Sequence, residues 1–196
     1  MDDSLYRALK YVAILLVVGF VAFSVYDGLF RGKDEYALRM GAAHRYFEDG
    51  QYEDAIREFE SVLSLSAGNP PAIYGIAISQ MQLQRNEKAL KSFADAIENE
   101  KEIKNKAFYI ANRGILFDRL GMYQQALDDY LLALSLEPET AEGPGIISRL
   151  LRNQPEKPPT IADRARYLQV ELAKPASERL LAVPAIDDEQ RVEKVQ

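Results

Sequence analysis

Hydrophobic positions fall into two patterns along the chain. From Tyr11 to Tyr26 no residue is charged, a run of 16 bounded by Lys10 and Asp27. Beyond Tyr36 the apolar residues recur at spacings of three and four, the period of a helix with one buried face. The first pattern predicts a helix that is apolar on all sides. The second predicts a series of amphipathic helices and no strands, an all-α chain.

The uncharged run has the character of a membrane anchor. At 1.5 Å per residue it covers about 24 Å, short of a hydrocarbon core of about 30 Å, so a spanning helix needs length from its flanks. Leu29 and Phe30 extend one end, Arg7 and Lys10 snorkel at the other, and Tyr6, Tyr11 and Tyr26 sit where interfacial aromatics belong. The expected N-terminal unit is a single transmembrane helix with its juxtamembrane segment, residues 1–35. A cleaved signal peptide is one alternative, opposed by the lack of an Ala-x-Ala exit in Phe23-Ser24-Val25-Tyr26-Asp27. A buried helix of a soluble domain is the other. Arg7 and Lys10 precede the run while Arg31, Lys33 and Arg39 come after it, so positive charge is nearly balanced. A short basic N-terminus before an anchor favours export of the downstream domain, with a cytosolic placement as the alternative.

Within the amphipathic region the chain repeats itself. Tyr52-Glu53-Asp54-Ala55-Ile56-Arg57-Glu58-Phe59 aligns with Asn86-Glu87-Lys88-Ala89-Leu90-Lys91-Ser92-Phe93, a shift of 34 residues. A third copy, Tyr123-Gln124-Gln125-Ala126-Leu127-Asp128-Asp129-Tyr130, lies 37 further on, which places an insertion of three within Lys101 to Lys106. The units run over about 36–69, 70–103 and 107–140. Small residues (Ala43, Ala55, Ala77, Ala89, Gly114, Ala126) let paired helices approach, and Tyr46, Phe59, Phe93, Phe117 and Tyr130 fill the space between pairs. Gly50 and Gly121 stand where a helix must end in a left-handed residue. Asn69-Pro70-Pro71 and Glu137-Pro138 mark unit boundaries.

The third unit resembles a tetratricopeptide repeat (TPR): Ile110, Gly114, Phe117, Leu120, Gly121, Tyr123, Ala126, Tyr130, Ala133 and Pro138 match that family's spacing of large, small and helix-ending residues. The first unit keeps Ala43, Tyr46, Gly50, Tyr52, Ala55 and Phe59, and the second keeps Ala77, Leu83, Ala89, Phe93 and Ala96. Departures are Gln84 at a turn glycine, Val62 at a small residue and Lys101 at the helix-ending proline. The resemblance implies a three-repeat solenoid of helical hairpins over 36–141 with a concave groove lined by the first helix of each pair. The residues implied to face it are Met40, His44, Phe47, Tyr74, Ile78, Met81, Phe108, Asn112, Ile115 and Arg119. This mostly apolar set suits an amphipathic helix or extended apolar segment of a protein partner. One TPR subgroup grips acidic chaperone C-termini with a Lys, Arg and Asn clamp. The matching positions here are Met40, His44, Gly75, Phe108 and Asn112, of which only Asn112 fits, so chaperone tails are disfavoured.

After the repeats, Gly143-Pro144-Gly145 breaks the chain, Ile146 to Asn153 reads as a short helix, and Gln154 to Pro159 as a proline-rich linker. Thr160 and Asp163 form a capping box opening a helix to about Ala173, stopped by Pro175. Its apolar face (Ile161, Ala165, Leu168, Leu172) either caps the open end of the stack or lies in the groove. Residues 142–182 thus form a linker with capping helices, and 183–196 a polar tail.

Composition narrows the chemistry. Net charge is −6, from 24 basic and 30 acidic residues, which argues against a nucleic-acid partner, whose footprint is a basic face. With no Cys and one His the chain has no thiolate zinc site, Cys nucleophile or multi-His centre. No phosphate-binding glycine loop or nucleophile elbow occurs. No metal, cofactor or catalytic residue is expected. Glu53, Asp54, Glu58, Asp128 and Asp129 read as solvated helix faces. Gly28 and Gly32 form a lone G-x-x-x-G at the membrane edge. The sequence therefore points to a membrane-anchored scaffold or assembly factor, with an integral subunit of a membrane complex and a receptor for incoming polypeptides as alternatives.

Overall fold

The computed structural model describes residues 3–30, 35–138 and 160–182, and in the first stretch the side chains of 10–25. The segment Gly143 to Pro159, the tail 183–196, Gly32 and the flanking side chains of the N-terminal run lie outside the described residues. Every regular element among them is a helix: α1 (Asp3–Phe30), α2 (Glu35–Glu48), α3 (Tyr52–Leu65), α4 (Pro70–Gln82), α5 (Asn86–Asn99), α6 (Ile103–Arg119), α7 (Tyr123–Leu136) and α8 (Ile161–Leu172), with a 3-10 turn after it at Ala176–Glu178.

Helices α2 to α7 form three hairpins, α2/α3, α4/α5 and α6/α7, stacked through α3 on α4 and α5 on α6. The alanines of the repeat are the points of closest approach: Ala43, Ala55, Ala77, Ala89, Ala96, Ala126 and Ala133 are fully buried. Against them lie Phe59, Phe93 and Tyr130, also fully buried. Glycine is required at Gly75, where a Cβ would fall 2.3 Å from the Phe59 ring. Hairpin turns end in left-handed residues at Gly50 (φ 74°) and Gly121 (φ 71°), and the second turn forces Gln84 into the same region at φ 57°.

Each hairpin is also crosslinked by a polar pair from one repeat position of its second helix. Glu58, Ser92 and Asp129 sit at the same repeat position of α3, α5 and α7. Glu58 accepts from Arg39 Nη1 at 3.2 Å, Ser92 donates to Gln80 Oε1 at 2.9 Å, and Asp129 accepts from Arg113 Nε and Nη2, both at 2.8 Å. Glu58 and Asp129 therefore depart from the solvated faces expected of them, and Asp129 is only 6 % exposed. Similarly, Asn69 caps α4 by accepting from the Ala72 amide at 3.1 Å ahead of Pro70 and Pro71. The three inserted residues lengthen α6 to 17 residues by one turn at its start, where the Glu100 carboxylate accepts from the amides of Lys101 and Glu102.

Helix α8 opens with the capping box: the Thr160 hydroxyl accepts from the Asp163 amide at 3.2 Å, and the Asp163 carboxylate from the Thr160 amide at 3.0 Å. It packs on α7, with Ala165 and Leu168 meeting Ala126, Leu127 and Tyr130. Arg164 enters this interface as a bidentate partner of Asp118 on α6, both bonds 2.8 Å and both side chains 1 % exposed. Tyr130 Oη donates to the same carboxylate at 3.2 Å. The chain then folds back over α8: Arg164 Nη2 donates to the Leu181 carbonyl, Tyr167 Oη to the Leu180 carbonyl, and the Leu180 amide to Glu171.

Among the described residues no helix is long and apolar enough to cross a membrane, so the single transmembrane helix expected within 1–35 is not shown. Helix α1 is 28 residues long, but its uncharged part is the run of 16, below the roughly 20 apolar residues a span requires. All its described side chains, 10–25, are exposed, and α1 is outside the set of extensively packed helices.

Two sets of substitutions test these contacts. Gln84→Gly should stabilise the chain by roughly 0.5–1 kcal/mol in urea unfolding, because it relieves a left-handed side-chain-bearing residue. Asp118→Asn should destabilise by about 3–5 kcal/mol, since it leaves the Arg164 guanidinium buried beside a neutral amide, whereas the pair Asp118→Leu with Arg164→Met should recover most of the loss.

Candidate functional site

The first helices α2, α4 and α6 carry the ten residues placed in the groove by the sequence. Six of them are buried: Phe47, Tyr74, Ile78, Met81, Asn112 and Ile115, at 0–9 % exposure. Met40 and Phe108 are half-buried, and His44 and Arg119 exposed. Met40, Phe47, Tyr74, Ile78, Met81 and Phe108 share one hydrophobic cluster, whereas Ile115 belongs to a second one with α7 and α8. The accessible part of the groove is therefore narrower than the pattern implies.

Tyr74 shows the cause. Its ring stacks on Tyr109 at 4.5 Å and 15°, and meets Phe108 at 5.4 Å and Phe93 at 5.9 Å. Tyr109 lies just beyond the extra first turn of α6, and its phenol is held protonated by burial, reinforced by the Glu100 carboxylate. An aromatic block thus fills the junction of the second and third hairpins. Phe47 is likewise engaged by Tyr52 at 5.4 Å.

Polar groups around this surface are few. His44 meets Phe59 edge-on at 5.6 Å, and although the residue is solvent-accessible, partial desolvation of the ring lowers its pKa below 6.5 against the opposing pull of Glu48, so the neutral imidazole is favoured at pH 7. Asn112 Nδ2 donates to the Phe108 carbonyl at 2.9 Å, while its Oδ1 is buried with no hydrogen-bond partner. The position equivalent to another clamp residue is Gly75, whose Cβ space the Phe59 ring occupies. Among the described residues no cluster of His, Cys, Asp or Glu is arranged to hold a metal ion.

Helix α8 packs on α7 and reaches α6 through Asp118, so it lies at the end of the stack and away from α2 and α4. Sequence reasoning missed the Asp118–Arg164 pair because its members lie 46 residues apart with no periodic relation. It also missed Arg113–Asp129, although the alignment of Asp129 with Glu58 and Ser92 carried a usable signal.

Residues 46–103 and 109–140 match tetratricopeptide repeat family models. Over those two stretches the chain is similar to TPR units. Among solved structures, the first TPR of Spaghetti (RPAP3) bound to the HSP90 peptide SRMEEVD is similar at a TM-score of 0.55 and 18 % identity, covering 73 % of this chain and 97 % of that one. The likeness is one of fold: an all-α TPR-type solenoid. No curated protein matches the chain.

The only histidine gives a direct readout of the groove. Its imidazole should titrate below 6.5 by proton NMR and return toward 6.5 in urea. Because the folded value is the lower one, protonation favours the unfolded chain, and His44 costs stability as pH falls through 6.5.

Proposed function

We propose that this chain is a non-catalytic scaffold or assembly factor, anchored to a membrane through α1, that holds a partner protein on its TPR units. The observation that carries the anchor is the exposure of every side chain from 10 to 25, with Leu15, Leu16 and Phe20 at 69–71 %. A helix apolar on all sides has no stable place in water, and residues adjoining the run can supply the missing length. The repeats support partner binding, since TPR structures present helix surfaces to proteins and the Spaghetti domain was solved with a peptide.

The partner contact centres on Met40, His44 and Phe108, with Arg119 further along the stack and the six buried residues forming the floor. Largely apolar, with Arg119 as a cation toward one end, this surface favours an apolar or amphipathic segment. An acidic chaperone tail is a weaker fit, because Gly75 carries no side chain to donate and Asn112 is buried. Anchoring raises the local concentration of a membrane-bound partner, so modest affinity suffices.

The reading is tested by floating the full chain with liposomes, extracting at alkaline pH, and photocrosslinking from Phe108 in native membranes. Co-flotation resistant to extraction, with a crosslink to one membrane-associated protein, is the expected result. A chain that stays with the soluble fraction removes the anchor, and crosslinks confined to the chain remove the groove. Fixed-stoichiometry co-purification would instead favour an integral subunit of a membrane complex, and protease-accessible repeats on the cytosolic side a receptor for incoming polypeptides.

A further inference from the structure

Leu38, Ala72 and Tyr109 occupy one repeat position, the outward face of the first helix of each hairpin. Ala72 is 0 % and Tyr109 2 % exposed, each on a helix packed against the preceding hairpin and Tyr109 stacked on Tyr74 of α4, whereas Leu38 is 48 % exposed. Ala42 and Tyr46 continue the stripe at four-residue intervals, Tyr46 being 36 % exposed. The resulting hollow of about 480 Å³ is lined by Glu35, Leu38, Arg39, Ala42 and Glu58. Among the described residues the stack therefore leaves α2 uncovered at one end, while α8 packs on α7 at the other.

We propose that this face receives an amphipathic, basic helix from a second membrane-anchored protein. The shape is set by continuity with the stack, since a helix covers the equivalent face of α4 and of α6. The charge is set by the rim, where Glu35 and Glu58 both pair with the single Arg39 and leave one negative charge in excess. Helix α1 is not the cover, because its described side chains are all exposed. A second copy is a poor fit: antiparallel α2 helices meeting at Ala42 would oppose Arg39 to Arg45 and Glu35 to Asp49 across the two-fold axis. The membrane origin rests on the anchor proposed above. Only four residues separate Phe30 from Glu35, so the face starts within about 18 Å of the end of α1.

The test uses the full chain in phosphatidylcholine nanodiscs and a fluorescent synthetic peptide with the sequence 86–99, the helix covering the same face of α6, made basic by Glu87→Lys and Glu98→Lys. Saturable anisotropy above that of empty nanodiscs is expected, weakened at least tenfold by Ala42→Glu and several-fold by Glu35→Lys, with unchanged melting temperatures. Absence of saturable binding, or equal binding by Ala42→Glu, overturns the proposal. A Leu38→Cys variant identifies competing occupants: disulfide-linked dimers would assign the face to a second copy, and protection from a polar maleimide before peptide is added would assign it to the chain itself, either result overturning the proposal. Liposome flotation is scored separately, so loss of the anchor and loss of the helix site read as different results.

Discussion

Close approach of helix backbones to aromatic rings is the constraint on which the repeat stack depends. Phe59 and Tyr130 reach full burial because glycine stands opposite each of them, while the fully buried Phe93 meets the Tyr74 ring. At Gly75 the Phe59 ring stands where a Cβ would be, and at Gly114 the Tyr130 ring lies 2.9 Å from that position. A larger residue at either site forces the helices apart, and in a stack where each hairpin contacts its neighbours a local separation is felt on both sides. The polar pairs at Glu58, Ser92 and Asp129 then fix the register that packing permits, since a slip by one residue would break the pair in each hairpin.

That packing also decides what the concave surface can offer. Aromatic side chains large enough to bind a ligand are large enough to bind one another, and Tyr109 stacks over Tyr74. Much of the apolar material facing inward is thereby committed to cohesion between hairpins. The accessible remainder is a few side chains laid over a rigid floor, a surface suited to reading the shape of an apolar segment and poorly suited to reading charge.

The hairpins and the left-handed turns at Gly50 and Gly121 were legible in the sequence because each rests on local chemistry that recurs, as at Ala55, Ala89 and Ala126. Accessibility was not legible. Position within a repeat tells which way Tyr74 points, but whether another side chain covers it depends on the residue at the position of Tyr109, whose counterparts in the other units are Leu38 and Ala72. Asp118 was invisible for a related reason: its partner Arg164 lies beyond the repeats, outside any period. For the N-terminal run, composition revealed apolarity at once, while length left it between a buried helix and a span.

The two ends of the stack differ, and the difference governs self-assembly. Solenoids whose ends match can join head to tail and grow without limit, because a heterologous contact that does not close generates filaments. Here the Asp118–Arg164 pair and the chain folded back over α8 seal one terminus with its own residues. An open α2 face on one molecule therefore finds no matching C-terminal surface on the next. On the proposal made above, each molecule keeps one exposed end to offer a different protein.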